Sequence, residues 1–128
     1  MPGLQRGLLP LALLALRVQH DLPAPHQDTD WGPYAPWAQP LVLLARGQRS
    51  EAVTALRAVP EPPADHLAEA LWCLVARAAV VVGDTDSMRR AQAALAPAAG
   101  EIAGAGSGLF SLGPASRYLD ELAAGLRR

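Results

Sequence analysis

The side chains best suited to chemistry lie between residues 20 and 30. His20, Asp21, His26, Asp28 and Asp30 carry imidazoles and carboxylates, which are ligands for divalent metals. Their spacing matches no established metal motif, and the prolines among them are typical of a surface loop. We therefore expect no metal site in this segment.

The glycine-rich segment 100–113 is a second candidate, because Gly104, Gly106 and Gly108 alternate with small residues. Phosphate-binding loops use the spacing G-x-G-x-x-G after a strand, or end in Lys followed by Ser or Thr. This segment has neither feature and follows a helical pattern. We expect a tight turn that binds no nucleotide cofactor.

Nucleophilic catalysis has no basis in the sequence either. Cys73 is the single cysteine, which excludes an internal disulfide, and it lies within a predicted helix as a small packing residue. No serine lies in a nucleophile-elbow motif. The sequence therefore predicts no catalytic, cofactor-binding or metal-binding residues, and a protein that is not an enzyme.

Three aromatic residues are the candidate partner contacts, namely Trp31, Tyr34 and Trp37. Trp and Tyr are enriched at binding hot spots, so contact with a peptide or a small ligand is one interpretation. The other is that these side chains cap the core where the next helix begins. Aromatic residues beside prolines fit both interpretations.

Composition and charge exclude some classes of protein. The 128 residues suffice for one domain, and 51% hydrophobic against 18% charged residues is not the composition of a disordered chain. The formal net charge is −1, and the eleven basic residues, all Arg, are scattered along the chain. We therefore expect no direct contact with nucleic acid.

An apolar run from Gly7 to Leu16 follows Arg6 and resembles the core of a signal peptide. Arg17 closes the run where small residues should lead to a cleavage site, and no A-x-A pattern follows. The run is also shorter than the roughly 20 residues that span a bilayer. We expect a buried helix in a cytoplasmic protein without a membrane partner. The alternative is an exported or membrane-associated helical protein with residues 1–24 as its signal segment.

The periodicity of apolar residues predicts a single all-α domain over residues 1–128 with about six helices. The helix predicted at Asp65–Val82 is apolar on nearly every side, so its neighbours should bury it from several directions. The predicted segments, in chain order, are a first helix at 1–19, a proline-rich loop at 20–36, a hairpin at 37–58, a second hairpin at 65–97, a glycine-rich loop at 98–113 and a cap helix at 114–127.

Two expectations concern the first half of the chain. Pro40 should lie in the first turn of a helix that begins near Trp37, where a missing amide costs little. The first helix should cover the apolar face of this helix at Trp37–Arg46, because two hairpins are few for a helical stack.

The two hairpins share a spacing. Each has an apolar helix, a glycine stop at Gly47 or Gly83, and a shorter amphipathic helix. The two glycines are 36 positions apart in the sequence, close to the roughly 34-residue period of tetratricopeptide repeats. Ala52 and Leu56 match the small and large positions of such repeats. Three positions depart from the pattern, namely Pro40, Met88 and Gln92. The spacing predicts a short tetratricopeptide-like solenoid with a C-terminal cap helix.

Four stretches carry a family resemblance: Asp30-Trp31-Gly32-Pro33-Tyr34 with Pro36-Trp37, Leu43-Leu44-Ala45-Arg46-Gly47, Glu69-Ala70-Leu71-Trp72-Cys73-Leu74, and Gly104-Ala105-Gly106-Ser107-Gly108 with Leu112-Gly113-Pro114. They resemble the C-terminal, tetratricopeptide-like region of actinobacterial transcriptional regulators that carry a bacterial transcriptional activator domain (BTAD). The resemblance covers about 100 residues. It implies regulation of transcription through a helical interaction domain.

In that family the DNA-binding and nucleotide-binding segments lie N-terminal to such a region. The resemblance therefore implies either a C-terminal fragment or a stand-alone relative of a regulator. The expected function is that of a non-catalytic protein-interaction module, which binds a protein partner or a second copy of itself.

Overall fold

A helix that is buried along most of its length lies at the centre of the fold. The computed structural model describes residues 6–25, 28–63, 67–100 and 112–128. Within these ranges α4 spans Ala68–Val82, and its Leu71, Cys73, Leu74 and Val75 are almost fully buried. This helix contacts each of the other five α-helices in the described ranges. The prediction that neighbours surround it on several sides is confirmed.

The described residues form an all-α fold, as predicted. In chain order the helices are α1 Leu8–Gln19, α2 Ala35–Ala45, α3 Arg49–Arg57, α4, α5 Thr85–Leu95 and α6 Ala115–Leu126. Short 3-10 turns at Gly32–Tyr34 and Ala96–Ala98 precede α2 and follow α5. The predicted glycine turn at Gly104–Gly108, the start of the predicted central helix at Asp65, and His26 lie outside the described residues.

The helices pack as two successive hairpins. Helix α2 packs against α3, and α4 packs against α5. The next helix along the chain then contacts both members of the preceding hairpin: α4 contacts α2 and α3, and α6 contacts α4 and α5. This repeated relation is compatible with a tetratricopeptide-like stack in which α6 is the cap.

The predicted glycine stops end α2 and α4. After α2, the Gln48 amide donates to the Leu43 carbonyl at 2.9 Å and the Gly47 amide to the Leu44 carbonyl at 3.0 Å, which is the Schellman pattern. Gly47 and Gly83 both have the left-handed conformation, with φ of 76° and 74°. The glycines thus separate the helices of each hairpin as the sequence predicted.

Pro40 lies deeper in its helix than predicted. The 3-10 turn at Gly32–Tyr34 runs directly into α2, which begins at Ala35 and not near Trp37. Pro36 takes an early position, where the first amides of a helix are free in any case. Pro40 is consequently the sixth residue of α2 and is buried, so it removes a helical hydrogen bond.

Helix α1 packs in a different place from the one predicted. Its main contacts are with α4 and the Gly32–Tyr34 turn, and not with α2. One face, formed by Leu11, Leu14, Ala15 and Val18, is buried. Pro10 lies in the first turn and does not interrupt the helix. The expectation of a buried first helix therefore holds for one face only, because the opposite face of α1 is open to solvent.

Candidate interaction surface

The exposed face of α1 is rich in leucine. Leu9, Leu13 and Leu16 are separated by four and three positions, so they form one stripe along the helix. Among the described residues, the large hydrophobic side chains that are exposed are these three, Leu22 and Val81, at 50% to 62% of full exposure. We call these five residues the leucine surface.

A groove runs along α1 beneath this stripe. It has a volume of about 490 Å³. Helix α1 forms one wall and the segment after it forms the other. Six side chains supply most of the apolar lining: Pro10, Leu13, Leu16, Leu22, Pro25 and Trp31. A cleft of this size with few polar groups is typical of a binding site. We call this cleft the α1 groove.

Leu22 connects the α1 groove to a second depression of about 320 Å³ between α1, α2 and α4. Leu41, Leu44 and Val81 lie in this second depression. Because Leu22 lines both cavities, the leucine surface continues from α1 to α4. Exposed apolar surface that is connected in this way is a feature of interaction sites, whereas single exposed leucines are common on any protein.

Arg17 is the charged residue of the α1 groove, with His20 beside it. Its Nε donates to the Pro23 carbonyl, which holds the side chain against the segment after α1. Within the described ranges no carboxylate pairs with Arg17. Two aspartates of the segment after α1 bind other arginines: Asp28 binds Arg46 at 3.1 Å, and Asp30 binds Arg6 at 3.2 Å. The groove is therefore apolar with one cationic edge.

Two glycines position the N-terminal end of α1. The backbone at Gly7 crosses the backbone at Gly32 so closely that a Cβ on Gly7 would lie 2.0 Å from the Trp31 carbonyl oxygen. A Cβ on Gly32 would lie 2.2 Å from the Arg6 carbonyl oxygen. Both residues also have positive φ, at 87° and 55°. This crossing fixes α1 against Trp31, which lines the groove.

Two arginines position the C-terminal end of α1. Arg77 of α4 donates to the Val18 carbonyl at 3.3 Å, and Arg117 of α6 donates to the Gln19 carbonyl at 2.8 Å. Both guanidinium groups also bind Asp21, at 3.1 and 2.7 Å. Charged donors on the last carbonyls of a helix stabilise its end. The position of α1 therefore depends on residues from the centre and the end of the chain.

The ring of Tyr118 packs against the guanidinium groups of these two arginines. The guanidinium carbons of Arg77 and Arg117 each lie 5.7 Å from the centre of its ring. Its hydroxyl donates to the Leu112 carbonyl at 2.8 Å. Burial raises the pKa of Tyr118 to about 12. A neutral, buried phenol beneath two cations is a structural support and not an acid-base group at neutral pH.

The three aromatic residues predicted as partner contacts have different positions. Trp31, Tyr34 and Trp37 are all buried, but only Trp31 lines the α1 groove. The Trp37 indole donates to the Pro60 carbonyl at 3.2 Å, which ties α2 to the segment after α3. Tyr34 ends the turn before α2. Their role as partner contacts stays a prediction.

Cys73, which the sequence predicts as a packing residue, is buried within α4. Burial raises the pKa of the Cys73 thiol, so the thiolate is disfavoured. The described residues contain no group of three His, Cys, Asp or Glu side chains arranged to hold a metal ion. In the same ranges no helix has the length and apolar character needed to cross a membrane.

The leucine surface was not predicted from the sequence. The sequence pattern places Leu9, Leu13 and Leu16 in a buried helix, and the 4-3 spacing of these leucines within an otherwise apolar run is the available signal of a separate stripe. Gly7 and Gly32 carry no motif that marks a backbone crossing. Comparison with protein-family models, with curated proteins and with solved structures gives no match to this chain.

Proposed function

We propose that this chain is a non-catalytic helical interaction module that binds a protein partner through the leucine surface. The observation that carries the proposal is the continuity of Leu9, Leu13, Leu16, Leu22 and Val81 across one side of the molecule. Burial of such side chains in a complex is favourable by about 25 cal/mol for each Å² of apolar surface removed from water. The contacts at both ends of α1 hold this surface in one position for a partner.

A role in transcriptional regulation is the proposed context. It rests on the sequence resemblance to the C-terminal region of BTAD-type regulators, and the hairpin packing of α2 to α6 is compatible with it. In this proposal the chain acts in the cytoplasm, as part of a regulator or beside one, and contributes protein contacts and no direct nucleic-acid contact.

Partner capture with matched variants tests the proposal. Leu13 is 62% exposed, so Leu13→Glu should change the free energy of unfolding by less than about 0.5 kcal/mol while it places a charge within the leucine surface. Ala93→Glu places the same charge on an exposed position of α5 and is the control.

Native lysate should yield a partner with the unaltered chain and with Ala93→Glu, and should lose it with Leu13→Glu. Identical recovery by all three folded chains would refute a role for the leucine surface. The exported alternative is examined by N-terminal sequencing of natively expressed protein. An intact Met1 or Pro2 in the cytosolic fraction would contradict a cleaved signal segment.

A further inference from the structure

The occupant of the α1 groove is constrained by the spacing of the exposed side chains along α1, of which Leu13, Leu16 and His20 line the groove. Leu9, Leu13, Leu16 and His20 follow one another at intervals of four, three and four residues. These are the intervals of the contact positions in a helix that packs lengthwise against another helix. The opposite face of α1, which carries Leu11, Leu14, Ala15 and Val18, is already buried. The stripe thus has the pattern of a helix-pairing surface without a helix on it in the described structure.

Charge constrains the occupant further. In this heptad register the positions that flank the stripe are Pro10, Ala12, Arg17 and Gln19. Flanking positions of paired helices select partners through their charges. Arg17 is the one charged residue among the four, and no Asp or Glu lines the groove among the described residues. The aspartates of the segment after α1 form ion pairs with other arginines. An occupant with a carboxylate beside Arg17 would complement the groove.

A second copy of the chain satisfies the apolar requirement but not the charge. The flanking positions of α1 contain no carboxylate, so a paired α1 would leave both Arg17 side chains without an anionic partner. A different protein segment can meet both requirements. These observations favour a foreign helix over self-association.

We propose that the α1 groove binds an amphipathic helix of a partner protein, with leucine-type side chains at intervals of three and four residues and an Asp or Glu beside Arg17. This inference rests on the proposed function and names the kind of partner. The partner's apolar side chains enter the 490 Å³ groove between α1 and Trp31, and its carboxylate meets the Arg17 guanidinium at the edge.

The test uses two synthetic helical peptides and the full chain. Both peptides are capped, monomeric by sedimentation and about four helical turns long, with Leu at intervals of three and four. One has Glu at the flanking positions and the other has Lys. Binding is measured by titration calorimetry at low and at high ionic strength.

The unaltered chain should bind the Glu peptide roughly three- to tenfold more tightly than the Lys peptide at low ionic strength, and salt should narrow the difference. Arg17→Glu should reverse the order. Arg17→Gln removes the positive charge and the Pro23 contact without adding a negative charge, and it should bind both peptides alike. Comparison with Arg17→Glu then distinguishes the effect of charge from the effect of losing the Pro23 contact. Leu13→Glu should weaken both peptides by tenfold or more. Arg89→Glu, on an exposed position of α5, is the matched control and should keep the preference of the unaltered chain.

Binding of neither peptide, equal binding of both, or an equal effect of Arg89→Glu would overturn the inference. A dimer in sedimentation equilibrium that Leu13→Glu dissociates would assign the groove to a second copy and would also overturn it. The proposed function has a separate readout. If native partner capture depends on Leu13 while the peptides do not bind, the leucine surface is still supported as an interaction surface. The inference of an acidic helical partner is then refuted.

Discussion

At the scale of single residues, Asp84 stands out because its carboxylate is buried. It and Ser87 are the buried polar residues in the described ranges. Its carboxylate accepts the Ser87 amide at 3.3 Å, which caps the N-terminus of α5, and accepts Arg57 Nη2 of α3 at 2.9 Å. Burial disfavours the charged form, but the hydrogen bonds from Ser87 and Arg57 outweigh it, so the pKa of Asp84 is lowered. One side chain thus links the two hairpins.

The lowered pKa predicts a pH dependence of stability. Asp84→Asn retains a capping oxygen but removes the charge, and we expect it to reduce the free energy of unfolding by about 1 kcal/mol at pH 7. A carboxylate with a lowered folded-state pKa stabilises above its unfolded pKa, and the contribution is lost as the pH falls through the folded value. The difference between the two chains should therefore shrink below about pH 4.

Urea unfolding at pH values from neutral to strongly acidic measures this difference. Asp86→Asn, at an exposed position in the same turn, is the control and should show a smaller effect at neutral pH. A constant difference between Asp84→Asn and the unaltered chain across the whole pH range would argue against a charge contribution from Asp84.

At the scale of elements, α1 is the helix whose position matters most for the proposed interaction. It is held at its start by the crossing of Gly7 and Gly32, and at its end by Arg77 and Arg117. Its main packing contacts are otherwise with α4 and the Gly32–Tyr34 turn. A change at either end should therefore alter the leucine surface without unfolding the hairpins.

Gly32→Ala tests the crossing. The added Cβ would lie 2.2 Å from the Arg6 carbonyl oxygen, and a backbone φ of 55° is unfavourable for Ala. The positive φ alone costs about 1–3 kcal/mol, and the clash adds to it. We expect a lower melting temperature and faster proteolysis between α1 and α2.

Gly47→Ala is the matched control for Gly32→Ala, because Gly47 also has a positive φ but no atom lies within 4 Å of an added Cβ. The control should show the backbone cost without the clash. Equal destabilisation by the two substitutions would mean that the close approach of residues 6–7 to residues 31–32 contributes nothing to the position of α1.

At the scale of the whole molecule, stability should be graded from α4 outwards. Helix α4 contacts every other helix in the described part of the chain, whereas α1 relies on few neighbours. Segments with few buried apolar contacts open locally at a lower free energy than the global transition. This gradient places the proposed binding element at the less stable edge of the fold.

Native-state hydrogen exchange measures this gradient. The amides of Leu71 to Ala79 in α4 should exchange only through global unfolding. The amides of α1 should exchange through a local opening with a smaller free energy, and a bound partner helix should slow them. Equal protection of α1 and α4 in the free protein would contradict the gradient and would indicate that α1 unfolds with the hairpins.

Sequence patterns were sufficient for features that depend on nearby residues. The ends of α2 and α4 at Gly47 and Gly83 follow from residues within a few positions of each helix end. Sequence patterns were not sufficient where a neighbouring turn shifted the start of a helix. The 3-10 turn at Gly32–Tyr34 moved the start of α2 towards the N-terminus and placed Pro40 inside the helix.

Sequence patterns are enough to predict the helical class, the two hairpins and the central place of α4, because an almost wholly apolar helix is favourable only where neighbours bury it on most sides. Which face of α1 is buried depends instead on contacts with distant parts of the chain. The run from Leu8 to Leu16 is apolar on all sides, so the 4-3 spacing of Leu9, Leu13 and Leu16 marks a stripe without showing whether that stripe or the opposite face is buried. The backbone crossing at Gly7 and Gly32 and the arginines at positions 77 and 117 fix its orientation. The open leucine surface follows from these contacts between distant parts of the chain.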